Sequence, residues 1–427
     1  MEEARGAQRL DGCWTSLRGD HHARRTYPRV ELRGRLFRMT ENASHVQIAD
    51  ALVLPYLNHA ARMHEEGYAS REDIDNGMRF GCGLPAGPIA VIDSKGVDAV
   101  ISALETQFAA TGDPLHEPRP ILRDLANADA AGEETAETVA LRPISSVGVV
   151  GTGTMASGIV EVFAKSGYDV VFVGRGDDKV AAVIATITKN LAKAVDRGKA
   201  TQEDADATLA RISGATTREA LADVDIVVEA IAEDLAIKQE LFRDLDRITK
   251  PGTILATTTS SMPITDLAAE TKRPQDVVGM HFFNPATIMK LVEIVRTTGD
   301  DGTAADVLAT VKDLCDKTGK VAVNCSDRSG FIVNALLFPY LNDAVKLVDS
   351  GKATVEEVDE AITSTYGYPM GPFALLDVVG LDVSLAIQRE LVEEFGHEGW
   401  TPAQTLVQLV EKGDLGRKTG KGFLTYA

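Results

Sequence analysis

The 427-residue chain is long enough for two or three domains, each able to bury a core. Apolar residues make up 44% of it, and the formal net charge of −19 argues against a general affinity for nucleic acid. No apolar run is long enough to span a membrane, and Cys13, Cys82, Cys315 and Cys325 show neither CxxC spacing nor a His–Cys grouping; the expectation is a reducing, cytoplasmic setting without a metal site or a membrane partner.

Residues 1–38 hold nine arginines against five acidic residues and show almost no periodicity. The acidic residues and the missing apolar core read as a disordered tail, taken to residue 43, or as a start upstream of a true Met39, rather than a transit segment. A helical segment is expected over 44–127. It is followed at 128–143 by small and acidic residues without an apolar face, a composition that suits a flexible linker.

From residue 144 the pattern changes. ISSVGVVGTGTMASGIVEVFAKSGYDVVFVGR reads as strand, glycine turn, amphipathic helix and second strand, the unit that binds dinucleotides. Gly151 permits the tight turn, and Gly153 lets the backbone approach a pyrophosphate. Ala156 allows close helix–strand packing, and Thr154 and Met155 open a helix whose unpaired N–H groups face the phosphates. At the end of the second strand, where an acidic residue would accept hydrogen bonds from the ribose of NAD, stand Gly174 and Arg175. Loss of that carboxylate beside a guanidinium favours NADP, with NAD as the alternative.

Two further β-rich runs, DVVGMHFF and KLVEIVRT, place His281 near the end of one strand and Glu293 inside the next, twelve positions on. If the strands run side by side, the carboxylate can bind one imidazole nitrogen and fix the tautomer. The other nitrogen is then left to exchange a proton with substrate.

The last hundred residues, 327–427, read as helices: PYLNDAVKLVDSG ends on a glycine, TVEEVDEAITST begins with a cap, and YPMGPF turns into another helix. This region repeats the earlier helical one. Residues 51–100 align without a gap to residues 335–384 at a constant interval of 284, pairing Pro55 with Pro339, Asn58 with Asn342, Gly67 with Gly351, Asp75 with Asp359, Gly87 with Gly371 and Asp93 with Asp377. Asp50 falls opposite Asn334, and nothing in the first region corresponds to GRKTGKGF.

GTGTMASGI, IVVEAIAEDLAIKQELF, TSSMPIT, HFFNPATIMKLVE, SGFIVNALLFPYLNDAV, GYPMGPFALLDVVGLD and GRKTGKGF, in that order, resemble the L-3-hydroxyacyl-CoA dehydrogenase family, including the 3-hydroxybutyryl-CoA dehydrogenases. The resemblance covers about residues 144 to 427. It implies an α/β protein with a Rossmann-type nucleotide domain at 144–326 and an all-α C-terminal domain at 327–427. Together with the repeat, it makes residues 44–127 a degenerate second copy of the helical domain. By the same resemblance His281 is the catalytic base and Glu293 its partner. Ser260 and Asn334 would hydrogen-bond the reacting oxygen, Glu229 and Lys238 would lie near the cofactor, and Asn190 and Arg197 would contact coenzyme A. The sequence departs from the family pattern at Thr258, where the family commonly has Asn, at Ala156 and at Gly174.

The implied reaction is reversible NAD(P)-dependent oxidation of a (3S)-3-hydroxyacyl-CoA to the 3-oxoacyl-CoA, a step of fatty acid metabolism. The rivals are a CoA-free hydroxyacid or sugar-acid dehydrogenase and a non-catalytic nucleotide-binding protein; the presence of Ser260, His281, Glu293 and Asn334 argues against the latter. Since the family typically pairs two chains through their helical domains, the two copies here are expected to pack together. That would give either a monomer containing an internal pseudo-dimer or a homodimer.

Overall fold

A computed structural model describes residues 45–125, 139–396 and 398–426. The tail expected at 1–43, and most of the linker expected at 128–143, lie outside the described residues. Two compact units share the chain: one combines the N-terminal helices with everything from Ile332 onward, and the other ends at Phe331.

The chain enters the helical unit with α1 (His45–Glu65), α2 (Arg71–Cys82), α3 (Pro88–Lys95), α4 (Val97–Thr111) and α5 (Ile121–Leu125). Sequence chemistry sets their ends. Ser70 caps α2 by accepting from the Asp73 N–H, and Gly83 and Gly112 close α2 and α4 in the left-handed conformation.

The second unit is built on one eight-stranded sheet. In chain order its elements are β1 (Ser146–Val150), α6 (Thr154–Lys165), β2 (Asp169–Val173), α7 (Asp177–Asp196), α8 (Gln202–Ala210), β3 (Ile212–Ala215), β4 (Ile226–Glu229), α9 (Leu235–Ile248), β5 (Ile254–Thr257), α10 (Ile264–Ala268), β6 (Val277–Phe282), β7 (Leu291–Arg296), α11 (Ala305–Lys317) and β8 (Val321–Ser326). The strand order is β3-β2-β1-β4-β5-β6-β7-β8. All neighbours are parallel except β6 and β7. This is a doubly wound sheet whose order reverses between β1 and β4, the place where such folds bind nucleotides. Val147, Val149, Ile226, Val228, Ile254 and Met280 form one face and pack with Ile159 and Phe163 of α6, Ile187 of α7 and Val311 of α11. The continuous apolar strands follow from burial on both faces.

The chain returns to the helical unit as α12 (Val333–Asp349), α13 (Val355–Thr365), α14 (Pro372–Val379), α15 (Leu381–Phe395) and α16 (Gln404–Lys412). Here α1 packs against α12 and α13, and α2 packs against α12. The interval of 284 recurs in hydrogen bonds. Asn58 donates to the Glu117 carbonyl and accepts from the Arg119 N–H, at 2.8 and 2.9 Å; Asn342 does the same with Thr401 and Ala403, at 2.9 and 2.8 Å. Asp75 caps α3 through the N–H groups of Ile89 and Ala90, and Asp359 caps α14 through those of Phe373 and Ala374. Gly87 and Gly371 are required at these caps, because an added Cβ would come within 2.3 Å of the Asp75 or Asp359 side chain.

Candidate active site

The antiparallel pairing of β6 and β7 puts His281 directly opposite Glu293. Directly paired residues project from the same face of a sheet, and the imidazole Nδ1 lies 2.6 Å from Glu293 Oε2. Glu293 is fully buried and His281 is 9% exposed. An ionised carboxylate only accepts, so Nδ1 carries the donated hydrogen and Nε2 is the nitrogen available to substrate. The rings of Phe283 and Phe331 stand at 4.7 and 5.5 Å from the imidazole, both tilted. Phe331 has φ 45, the one positive value at a non-glycine among the described residues. A bulky side chain in that region strains the backbone, which the buried ring against His281 must offset.

Ser260 follows β5, and its N–H donates to Glu233 at 3.0 Å. Glu233 is in turn 3.1 Å from the Lys238 ammonium, which sits 2.8 and 2.9 Å from the two oxygens of Glu229. Glu229 also accepts from the Ile231 N–H and the Thr257 hydroxyl, at 2.7 Å each. The Glu229 carboxylate is thus wholly engaged inside the fold and has no exposed surface. Burial works to lower the Lys238 ammonium, and the two glutamates overcome it, holding the group above the ordinary lysine value. Sequence reasoning singled out Glu229 and passed over Glu233, the half-buried carboxylate that touches Ser260. The two acids lie four residues apart in one motif, and spacing does not tell which stays within reach of solvent.

The dinucleotide turn has the geometry that its residues dictate. Gly151 has φ 137, and an added Cβ would meet the Ala230 carbonyl at 2.3 Å. At Gly153 an added Cβ would meet nothing, which leaves room for a phosphate close to the backbone. Ala156 is fully buried, while Gly153 and Thr154 are exposed and Met155 is partly so at the N-terminus of α6. This turn suits a bound dinucleotide. Gly174 is buried, with Thr152 Cγ2 only 2.8 Å from where a Cβ would stand. Arg175 is exposed and forms no ion pair among the described residues.

Two candidate coenzyme A contacts lie on α7. The Asn190 amide donates to the buried Glu161 at 3.0 Å, and Arg197 is the exposed C-cap of that helix. Asn334 lies in the first turn of α12, half-buried, in the helical unit. Among the described residues no group of His, Cys, Asp and Glu side chains could hold a metal ion. No described helix is long and apolar enough to cross a membrane.

Comparison with known proteins points to one family. The model of the 3-hydroxyacyl-CoA dehydrogenase NAD-binding domain matches residues 146–328, and that of the same enzymes' C-terminal domain matches both 48–141 and 330–426. The 3-hydroxybutyryl-CoA dehydrogenase of Mycobacterium tuberculosis is 45% identical over 284 residues, 66% of this chain and 99% of the relative. That of Clostridioides difficile is 44% identical over 278 residues, 65% of this chain and 98% of the relative. Among solved structures, (S)-3-hydroxybutyryl-CoA dehydrogenase from Ralstonia eutropha superposes with a TM-score of 0.64 at 38% identity, covering 67% of this chain and all of the other.

Proposed function

The chain belongs to the 3-hydroxyacyl-CoA dehydrogenase family, and on that footing we propose that it interconverts (3S)-3-hydroxyacyl-CoA and 3-oxoacyl-CoA with His281 as the proton-transferring group. The observation that carries this reading is the register that pairs His281 with a fully buried Glu293 on the sheet that also bears the dinucleotide turn. Gly151, Gly153 and the first turn of α6 would hold the nicotinamide cofactor, which would supply the hydride acceptor or donor.

In the oxidative direction Nε2 of His281 takes the hydroxyl proton, and Glu293 holds the ring and stabilises the imidazolium that forms. In reduction the imidazolium returns the proton. Ser260 donates a hydrogen bond to the oxygen as charge grows on it. Glu233 orients Ser260 through its backbone N–H. Acetoacetyl-CoA reduction, followed by cofactor absorbance, tests the reading: the wild-type chain should turn over, and His281→Gln should lose about a hundred- to ten-thousand-fold in kcat. Activity on free 3-hydroxy acids and none on CoA esters would overturn it in favour of a CoA-free dehydrogenase.

The family supports NAD(H) binding. A preference for NADP(H) is a finer reading, favoured by the exposed Arg175 and by the crowding that keeps a side chain away from Gly174. Parallel assays with NADH and NADPH decide between them. Residues 44–127 are read as a second, degenerate helical copy, supported by the recurring caps and by the matched segment 48–141. Because α1 already covers α12 and α13, a single chain would fill the role of a pair, and sedimentation should find a monomer.

A further inference from the structure

The loop between β6 and β7 joins the strands of His281 and Glu293, and it is held by a charge that the chemistry above does not use. Lys320, just before β8, is 8% exposed. Its ammonium donates to the carbonyl of Ala286 and, at 2.8 Å, to that of Met289. Among the described residues no carboxylate pairs with it. The titratable group it faces is the Cys315 thiol of α11, and the loop offers it only carbonyls. Burial pushes the ammonium down to about 8, with Cys315 acting in the opposite sense. A buried cation without a counter-ion is costly, so packing alone does not explain a lysine here.

The loop is compact and lies against the cofactor element. The Pro285 carbonyl accepts from the N–H groups of Ile288 and Met289, both at 2.9 Å. Phe283, at the start of the loop, carries the ring beside His281. Ala286 is buried against α6: a Cβ added at Gly158 would stand 3.2 Å from its methyl group. The segment is therefore fixed on one side by the helix that begins at the dinucleotide turn and on another by Lys320.

We propose that Lys320 is a positioning residue for the dehydrogenase reaction, fixing the carbonyls of Ala286 and Met289 so that His281 keeps its placement relative to α6. The inference rests on His281 being the proton-transferring group. A displacement of well under an ångström between the base and the cofactor-binding helix slows the chemical step without weakening cofactor binding.

The test uses the full chain, with Lys320→Met, Lys320→Arg and His281→Gln compared in acetoacetyl-CoA reduction by NADH and 4-deuterated NADH. Lys320→Met should melt cooperatively, keep its KM for NADH within about twofold and lose about tenfold or more in kcat. Its deuterium isotope effect on kcat should rise, because chemistry becomes more nearly rate-limiting. Lys320→Arg, which keeps the cation and its donors, should recover most of the loss. A Lys320→Met enzyme within twofold of wild type in kcat would overturn the proposal. So would a loss shared equally by kcat and KM, a loss that simply follows the folded fraction, or failure of both variants to fold. An inactive wild type, or a fully active His281→Gln, would instead overturn the catalytic reading itself.

Discussion

The N-terminal and C-terminal helices share a framework and differ where chemistry would be done. Asn58 and Asn342 tie down the same turn, and Asp75 and Asp359 cap the same helix. Asn334 is the C-terminal side's candidate substrate contact. Its N-terminal counterpart, Asp50, accepts from the Tyr366 hydroxyl at 2.5 Å and pairs with Lys95 at 3.1 Å. Asp377 accepts from the N–H groups of Phe423 and Leu424, which seat the C-terminal segment; its counterpart Asp93 pairs with Arg71 near the surface. Residues that satisfy buried backbone groups recur, because losing them leaves unpaired donors in the core. Asp50 instead links the N-terminal helices to the C-terminal ones through Tyr366.

The largest effect should come from making the C-terminal position like the N-terminal one. In the role the family resemblance gives Asn334, Asn334→Asp exchanges a hydrogen-bond donor for a charge, and kcat should fall on the order of a hundred- to a thousand-fold. Asp50→Asn should leave kcat within about twofold, and an equal loss in both would break the contrast.

The caps should respond in a graded way, as read by denaturant unfolding. Asp359→Ala strands two buried N–H groups and should cost about 3 kcal/mol, whereas Asp75→Ala strands one buried group and the exposed Ala90 N–H and should cost about 2 kcal/mol.

Asp377 carries a pH dependence of its own. Burial lifts the Asp377 carboxyl to about 6 against the N–H groups that lower it. A raised acid stabilises the fold fully below its ordinary value, near 4, and loses that contribution as pH rises through about 6. Asparagine does not titrate. The stability gap between wild type and Asp377→Asn should therefore narrow by about 2 kcal/mol between pH 4.5 and 7.5, and a gap that widened would refute this assignment.

The smallest effect belongs to the exposed Asp93–Arg71 pair. Asp93→Asn should change stability by at most about 1 kcal/mol, and less at high salt.

Much of this was legible in the chain because the signals are local or periodic. A glycine turn between two β runs specifies a dinucleotide-binding unit through backbone conformation alone, and Gly151 and Gly153 behave as that chemistry requires. The twelve-residue spacing of His281 and Glu293 allowed a pair; the strand register made it one, since a slip by one residue would turn the side chains to opposite faces. The recurrence at 284 was visible as aligned prolines, glycines and carboxylates, and those same residues close the same turns.

What the sequence determined, then, is the conformational chemistry: which segments turn, cap, alternate and repeat, each set by a residue and its near neighbours. Only the tertiary structure decided the partners. Glu229 became an internal counter-ion and Glu233 the carboxylate at Ser260. Lys320 reached the loop beside the base, Phe331 was held at positive φ against the imidazole, and Asp50 found Tyr366 across 316 residues. A polar side chain has no fixed partner until folding removes water and leaves it the few groups that happen to surround it, and those groups come from distant parts of the chain.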